Sequence, residues 1–123
     1  MDWKQEIFRC VFVAFGAFEV LANVSYLIMN NGIEKAYKQH GEIPKTASRK
    51  QMKIKVICML TAGCLFFVCG SSSFITRSFN NTAYLIVLIL FALYAAIEGQ
   101  YYKFWKTRGF SIATIVLLLW FLI

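Results

Sequence analysis

Apolar positions gather into four long runs separated by polar connections. The runs extend from about Ile7 to Met29, Ile54 to Ile75, Thr82 to Tyr102 and Gly109 to Ile123. The first three have the roughly 20 residues that crossing a hydrocarbon core requires. Lipid offers no partners to backbone polar groups, so each run is expected to be a helix. A soluble amphipathic helix would interrupt such runs with charges at every turn. The fourth run is short and would rise only ~22 Å as a helix. It spans if the bilayer thins or if Lys106 and Arg108 snorkel inward. The expected fold is therefore all-α: an integral membrane protein, one domain over residues 1–123, built as a compact bundle of four transmembrane helices.

Basic residues set the expected orientation. The connection 30–53 carries Lys35, Lys38, Lys45, Arg49, Lys50 and Lys53, and Lys55 follows it. The connection between the third and fourth runs carries Lys103, Lys106 and Arg108, whereas the one between the second and third holds only Arg77. Both basic connections fall on one side of a four-span chain, and that side should be cytoplasmic. Both termini are then expected outside, most naturally at the plasma membrane. Within the first connection, residues 33–40 suit a short surface helix with Ile33 and Tyr37 facing lipid. The residues expected to touch anionic lipid are Lys45, Arg49, Lys50, Lys53, Lys103, Lys106 and Arg108. Alternatively, they are solvated charges that fix topology.

Composition narrows the classes further. The chain is 59% hydrophobic and only 15% charged, too apolar for a soluble domain of 123 residues. Its net charge of +7 is accounted for by the membrane-flanking connections and requires no nucleic-acid partner. Cys10, Cys58, Cys64 and Cys69 form no CxxC pair and read as buried thiols in apolar runs. The single histidine, His40, falls in a polar connection, which disfavours haem or an ordinary histidine metal site. No cofactor and no metal are expected. Gly70-Ser71-Ser72-Ser73 reads as a helix fraying into a loop, and Asn80-Asn81-Thr82 as a chance glycosylation sequon.

The membrane makes two residues costly. Glu19 and Glu98 are carboxyls inside apolar runs, where an ionised Asp costs about 2.5–3.5 kcal/mol. Glu19 would lie ~18 Å from the outer edge and within about two turns of Glu98 in depth. Gly16, Glu19, Asn23, Tyr26 and Asn30 share one helical face, as do Tyr84, Val87, Phe91, Tyr94, Glu98 and Tyr101. Thr61 of the second run falls between the two carboxyls in depth. One polar layer of Glu19, Asn23, Tyr26, Thr61, Tyr94 and Glu98 is thus expected, with no Lys, Arg or His between the glutamates. Two such carboxyls would be protonated, hold a cation, or act as interhelical glue. Glu98 has a further option, snorkelling to the interface beside Lys103.

The turn Gly16-Ala17-Phe18-Glu19-Val20 resembles the first helix of small multidrug-resistance transporters. The long basic first connection, the outside N-terminus and the short last run depart from that family, so the likeness assigns nothing. Three classes remain. An accessory, regulatory or immunity-type protein would pack against a larger membrane partner. A cation- or proton-coupled transporter or channel would use the glutamates, as a homo-oligomer with the polar stripe at its interface. An enzyme is the least supported, because no matched acid, base and nucleophile come together.

Overall fold

The computed structural model describes residues 2–123. Among them the chain is all-helical, with no strand. The helices are α1 (Trp3–Ile28), α2 (Gly32–Gln39), α3 (Arg49–Thr76), α4 (Asn81–Tyr102) and α5 (Trp105–Leu122). Four of them, α1, α3, α4 and α5, are long and apolar enough to cross a membrane.

Local chemistry sets the boundaries. Asp2 and Ser48 each cap a helix through a capping box, completed by Gln5 and Gln51. The Asn80 side chain caps α4 by accepting from the Ala83 amide at 3.1 Å. The C-caps of α3 and α4 are Arg77 and Lys103, both left-handed at φ 55° and 51°. The turn at Lys103 lets α5 start at Trp105, four residues before the apolar run. Its 18 residues then rise ~27 Å.

The bundle is two helix pairs. α1 packs closely along α3, and α4 along α5, whereas the consecutive helices α3 and α4 touch at few points. Glycine makes the first pair possible. A Cβ on Gly16 would collide with the Phe67 backbone and stand 2.8 Å from the Gly63 carbonyl oxygen. A Cβ on Gly63 would stand 2.9 Å from Glu19 Cβ. Small residues at such crossings allow backbones to approach, which supplies the dispersion contact that holds helices together in lipid. Between the pairs lies an aromatic layer. Phe12 meets Tyr84 at 4.3 Å between ring centroids, and Phe66 meets Phe91 at 5.1 Å. α5 joins it through Phe110 against Phe91 at 5.5 Å and Phe121 against Phe8 at 5.0 Å.

The 30–48 segment departs from the sequence expectation. α2 forms, but Ile33 is buried with Ala36, Ile43, Ala47, Met52 and Val56, and Tyr37 packs against the same cluster. Gly32, at its start, lies against the Tyr26 backbone, and Gln39, at its end, reaches Glu19. α2 therefore folds back alongside α1 into the bundle's basic end. Non-helical backbone is tolerated at such depth where protein surrounds it. Two other readings are corrected. α3 does not fray at the serines: it runs to Thr76, and Ser73 is buried with its hydroxyl 2.9 Å from that of Tyr84. The thiols are free but not buried, since Cys10 and Cys64 are exposed and Cys58 and Cys69 half-exposed.

The glycine contact is testable. Gly16→Ala should destabilise the protein by about 1–3 kcal/mol in detergent unfolding, because the Phe67 backbone blocks the added methyl. Gly109→Ala, where an added Cβ meets nothing within 4 Å, should leave stability nearly unchanged.

Candidate functional site

A single polar network occupies the basic end of the bundle. Tyr26 donates its hydroxyl to Gln39 Oε1. Gln39 Nε2 donates to Glu19 Oε1 at 3.2 Å, and Asn23 Nδ2 to Glu19 Oε2 at 2.7 Å. On its other side Asn23 Oδ1 lies 2.8 Å from His40 Nε2. Since the amide nitrogen is turned to Glu19, Nε2 must be the donor. His40 Nδ1 faces Glu42 Oε1 at 3.7 Å. Lys55 Nζ then bridges Glu42 Oε1 at 2.8 Å and Glu98 Oε1 at 2.7 Å. Tyr94 closes the chain, donating to Glu98 Oε2 at 2.5 Å.

Every helix has a stake in this network. α1 supplies Glu19, Asn23 and Tyr26. α2 and the segment after it supply Gln39, His40 and Glu42. α3 supplies Lys55, and α4 supplies Tyr94 and Glu98. α5 joins through the buried Thr107 hydroxyl, which donates to the Glu42 carbonyl. Solvent is nearly excluded: Lys55 is 1% exposed, His40 2% and Glu19 5%. The remaining side of the Lys55 ammonium faces the Phe110 and Tyr94 rings, at 4.7 and 5.1 Å from their centroids.

The expected polar layer exists in part, with different electrostatics. Glu19, Asn23, Tyr26, Tyr94 and Glu98 all join the network. Thr61 does not: it is exposed and donates to the Ile57 carbonyl of its own helix at 3.0 Å. The expectation that no basic group lies between the glutamates is overturned by Lys55 and His40. Glu98 is accordingly not a snorkelling interfacial group beside Lys103. Glu19 alone among the three carboxyls has amide hydrogens as its only direct partners. Sequence reading missed Gln39, His40, Glu42 and Lys55. The available signals were Glu42, one of two acids in a basic connection, and Lys55, one residue inside an apolar run.

Glu42 lies outside the spans. Burial by itself raises its carboxyl, but the nearby His40 ring and the charge and hydrogen bond of Lys55 outweigh this and hold it down at about 2. A second, smaller polar station sits at the other end of the bundle. There Arg9 bonds Glu6 at 2.8 Å and the Ser73 carbonyl at 3.3 Å and covers the Phe74 ring at 4.1 Å.

The seam between α3 and α4 stays open. Three adjoining recesses of about 350, 260 and 570 Å³ run along it. Adjacent recesses share Cys58 and Tyr94, then Leu65 and Val87. Phe66, Val87 and Phe91 form the floor of the middle one, and Ile57, Thr61 and Leu90 its rim. Gln51 crosses the basic end of the seam to the Tyr101 hydroxyl at 3.0 Å. No protein-family model matches the chain, nor does any curated protein sequence or solved structure. Among the described residues no His, Cys, Asp and Glu cluster suits a metal ion.

Two outcomes follow from the network. Lys55→Met strands the buried Glu98 and the partly buried Glu42 and should cost about 3–5 kcal/mol in unfolding titrations, with a large part regained in Lys55→Met/Glu98→Leu. The second concerns pH. The folded Glu42 carboxyl lies below its ordinary value of 4.5, so its stabilising share is full above about pH 4.5 and disappears as pH falls toward 2. Melting temperatures of wild type and Glu42→Gln should differ at about pH 6 and converge near pH 2.

Proposed function

We propose that this chain is a small accessory or regulatory protein of the plasma membrane that packs against a transmembrane helix of a larger membrane protein, with its basic end cytoplasmic. The observation that carries the reading is the α3/α4 seam, an apolar recess extending through the bundle from Gln51 to Thr76. That stretch of α3 rises ~38 Å. One lipid chain covers only half of a hydrocarbon core of roughly 30 Å, so a spanning helix suits the seam better than a lipid. The walls include Cys58, Thr61, Ala62, Ser72 and Ala83, residue sizes that let a neighbouring helix approach closely. The charged groups set within the apolar runs of α3 and α4, Lys55 and Glu98, by contrast, turn inward and find partners within the chain.

The test fills the seam. Ala62→Trp and Leu90→Trp should each abolish a lipid-phase thiol cross-link from Cys64 to the partner, in a Cys10→Ser background. Leu21→Trp, on the exposed outer face of α1, should leave it intact. A cross-link only to a second copy of this chain, or none to any protein, would overturn the reading.

A second reading has its own observation. The network holds three carboxyls against one lysine and one histidine, and Glu19 bonds only amides. Intramembrane carboxyls in this state are what cation- or proton-coupled transport uses. It requires that the purified chain in proteoliposomes give a pH- or cation-driven flux that Glu19→Gln abolishes. Absence of flux from the wild-type chain removes it.

A further inference from the structure

Ten of the thirteen basic residues lie at one end of the bundle, all except Lys4, Arg9 and Arg77. They are not spread evenly there. Arg49 is taken by an ion pair with Glu34. Lys55 is consumed by the buried network. Four lysines instead converge on one cleft of about 1230 Å³ between the 37–46 segment and the α4–α5 connection. They are Lys38, Lys45, Lys103 and Lys106, and the cleft's lining includes no acidic residue. None of the four forms an ion pair among the described residues.

The other walls are apolar and aromatic, chiefly Tyr37, Tyr102, Phe104 and Trp105. Lys106 Nζ lies 5.4 Å from the Trp105 ring centroid. α5 begins at this cleft, and its N-cap, Phe104, makes no side-chain cap hydrogen bond, so the first-turn amides gain no side-chain acceptor from it. Concentrated positive charge beside a helix start suits a phosphate. Tyr102 ends one span and Trp105 opens the next, which puts the aromatic walls at headgroup level.

We infer that this cleft binds the headgroup of an anionic phospholipid of the host bilayer. Lys103 and Lys106 hold the phosphate near the start of α5. Lys38 and Lys45 close over it from the 37–46 segment, and Trp105 and Phe104 flank the glycerol and upper acyl carbons. A lipid fits better than a soluble phosphate because the walls away from the lysines are aromatic and the cleft sits at the ends of two spans. The inference narrows the broad set of lipid-facing basic residues expected from sequence. It retains Lys45, Lys103 and Lys106, adds Lys38, and leaves out Arg49, Lys50, Lys53 and Arg108.

The experiment reconstitutes the purified protein with equal amounts of phosphatidylglycerol and phosphatidylcholine and counts lipid adducts by native mass spectrometry. Wild type should keep a phosphatidylglycerol adduct in preference to phosphatidylcholine. Lys103→Ala/Lys106→Ala should lower that adduct at least about fivefold, since the cleft loses two of its four lysines. Lys35→Ala/Lys50→Ala removes equal charge from the same end outside the cleft and should leave the adduct unchanged. Lys103→Arg/Lys106→Arg should retain it. Excess water-soluble glycerol phosphate should not displace it. The inference is overturned if both alanine pairs reduce the adduct equally, if neither does, or if glycerol phosphate displaces the lipid.

Discussion

One lysine ammonium buried among carboxylates governs the architecture of this protein's basic end. Lys55 takes Glu42 from the connecting segment and Glu98 from α4, and two aromatic rings cover what remains. Each of these charges would be costly in a bilayer by itself. Together they oblige the polypeptide to bring residues 39–42 inward, because only that segment carries the second carboxyl. From Glu42 the constraint passes through His40 and Asn23 to Glu19, and through the Glu42 carbonyl to Thr107. The depth of α2 and the start of α5 are thus tied to one ion cluster.

The opposite requirement shapes the middle of the bundle. Among the described residues no polar network is present there, and cohesion comes from close packing. The Gly16–Gly63 crossing brings two backbones together, and Phe12, Phe66, Tyr84 and Phe91 fill the space that α1 and α3 leave toward α4. Filling by rings rather than by backbone contact keeps α3 and α4 apart. The same packing that closes the core therefore leaves the lateral seam on which the proposed helix docking depends. It also interposes a layer of rings between the network and the Arg9 station. That layer suits a regulatory bundle better than a conduit through a single protomer.

Much of this was legible in residue order. Four apolar runs dictated four helices, because lipid leaves the backbone no other way to satisfy itself. The i, i+4 spacing of Glu19 and Asn23, and of Tyr94 and Glu98, dictated that each pair meet on one helix. The polarity of Ile33 and Tyr37, however, pointed the wrong way. A short amphipathic helix between two spans can turn its apolar face to lipid or to protein, and periodicity is identical in the two cases. Thr61 was misplaced for a related reason. Depth along an axis was estimated well enough, but its azimuth on α3 depends on which face Gly63 and Gly70 turn to α1.

Sequence by itself determined the helices, their caps and the concentration of positive charge at one end, since these follow from local hydrogen bonding and transfer energy. Tertiary structure alone decided that Lys55 and His40 answer the buried carboxyls, that α2 folds inward, and that four lysines share one cleft. Such pairings join residues far apart in the chain, as Glu42 and Thr107 are at 65 positions. They are fixed by how helix faces rotate against one another, a quantity that no local pattern encodes.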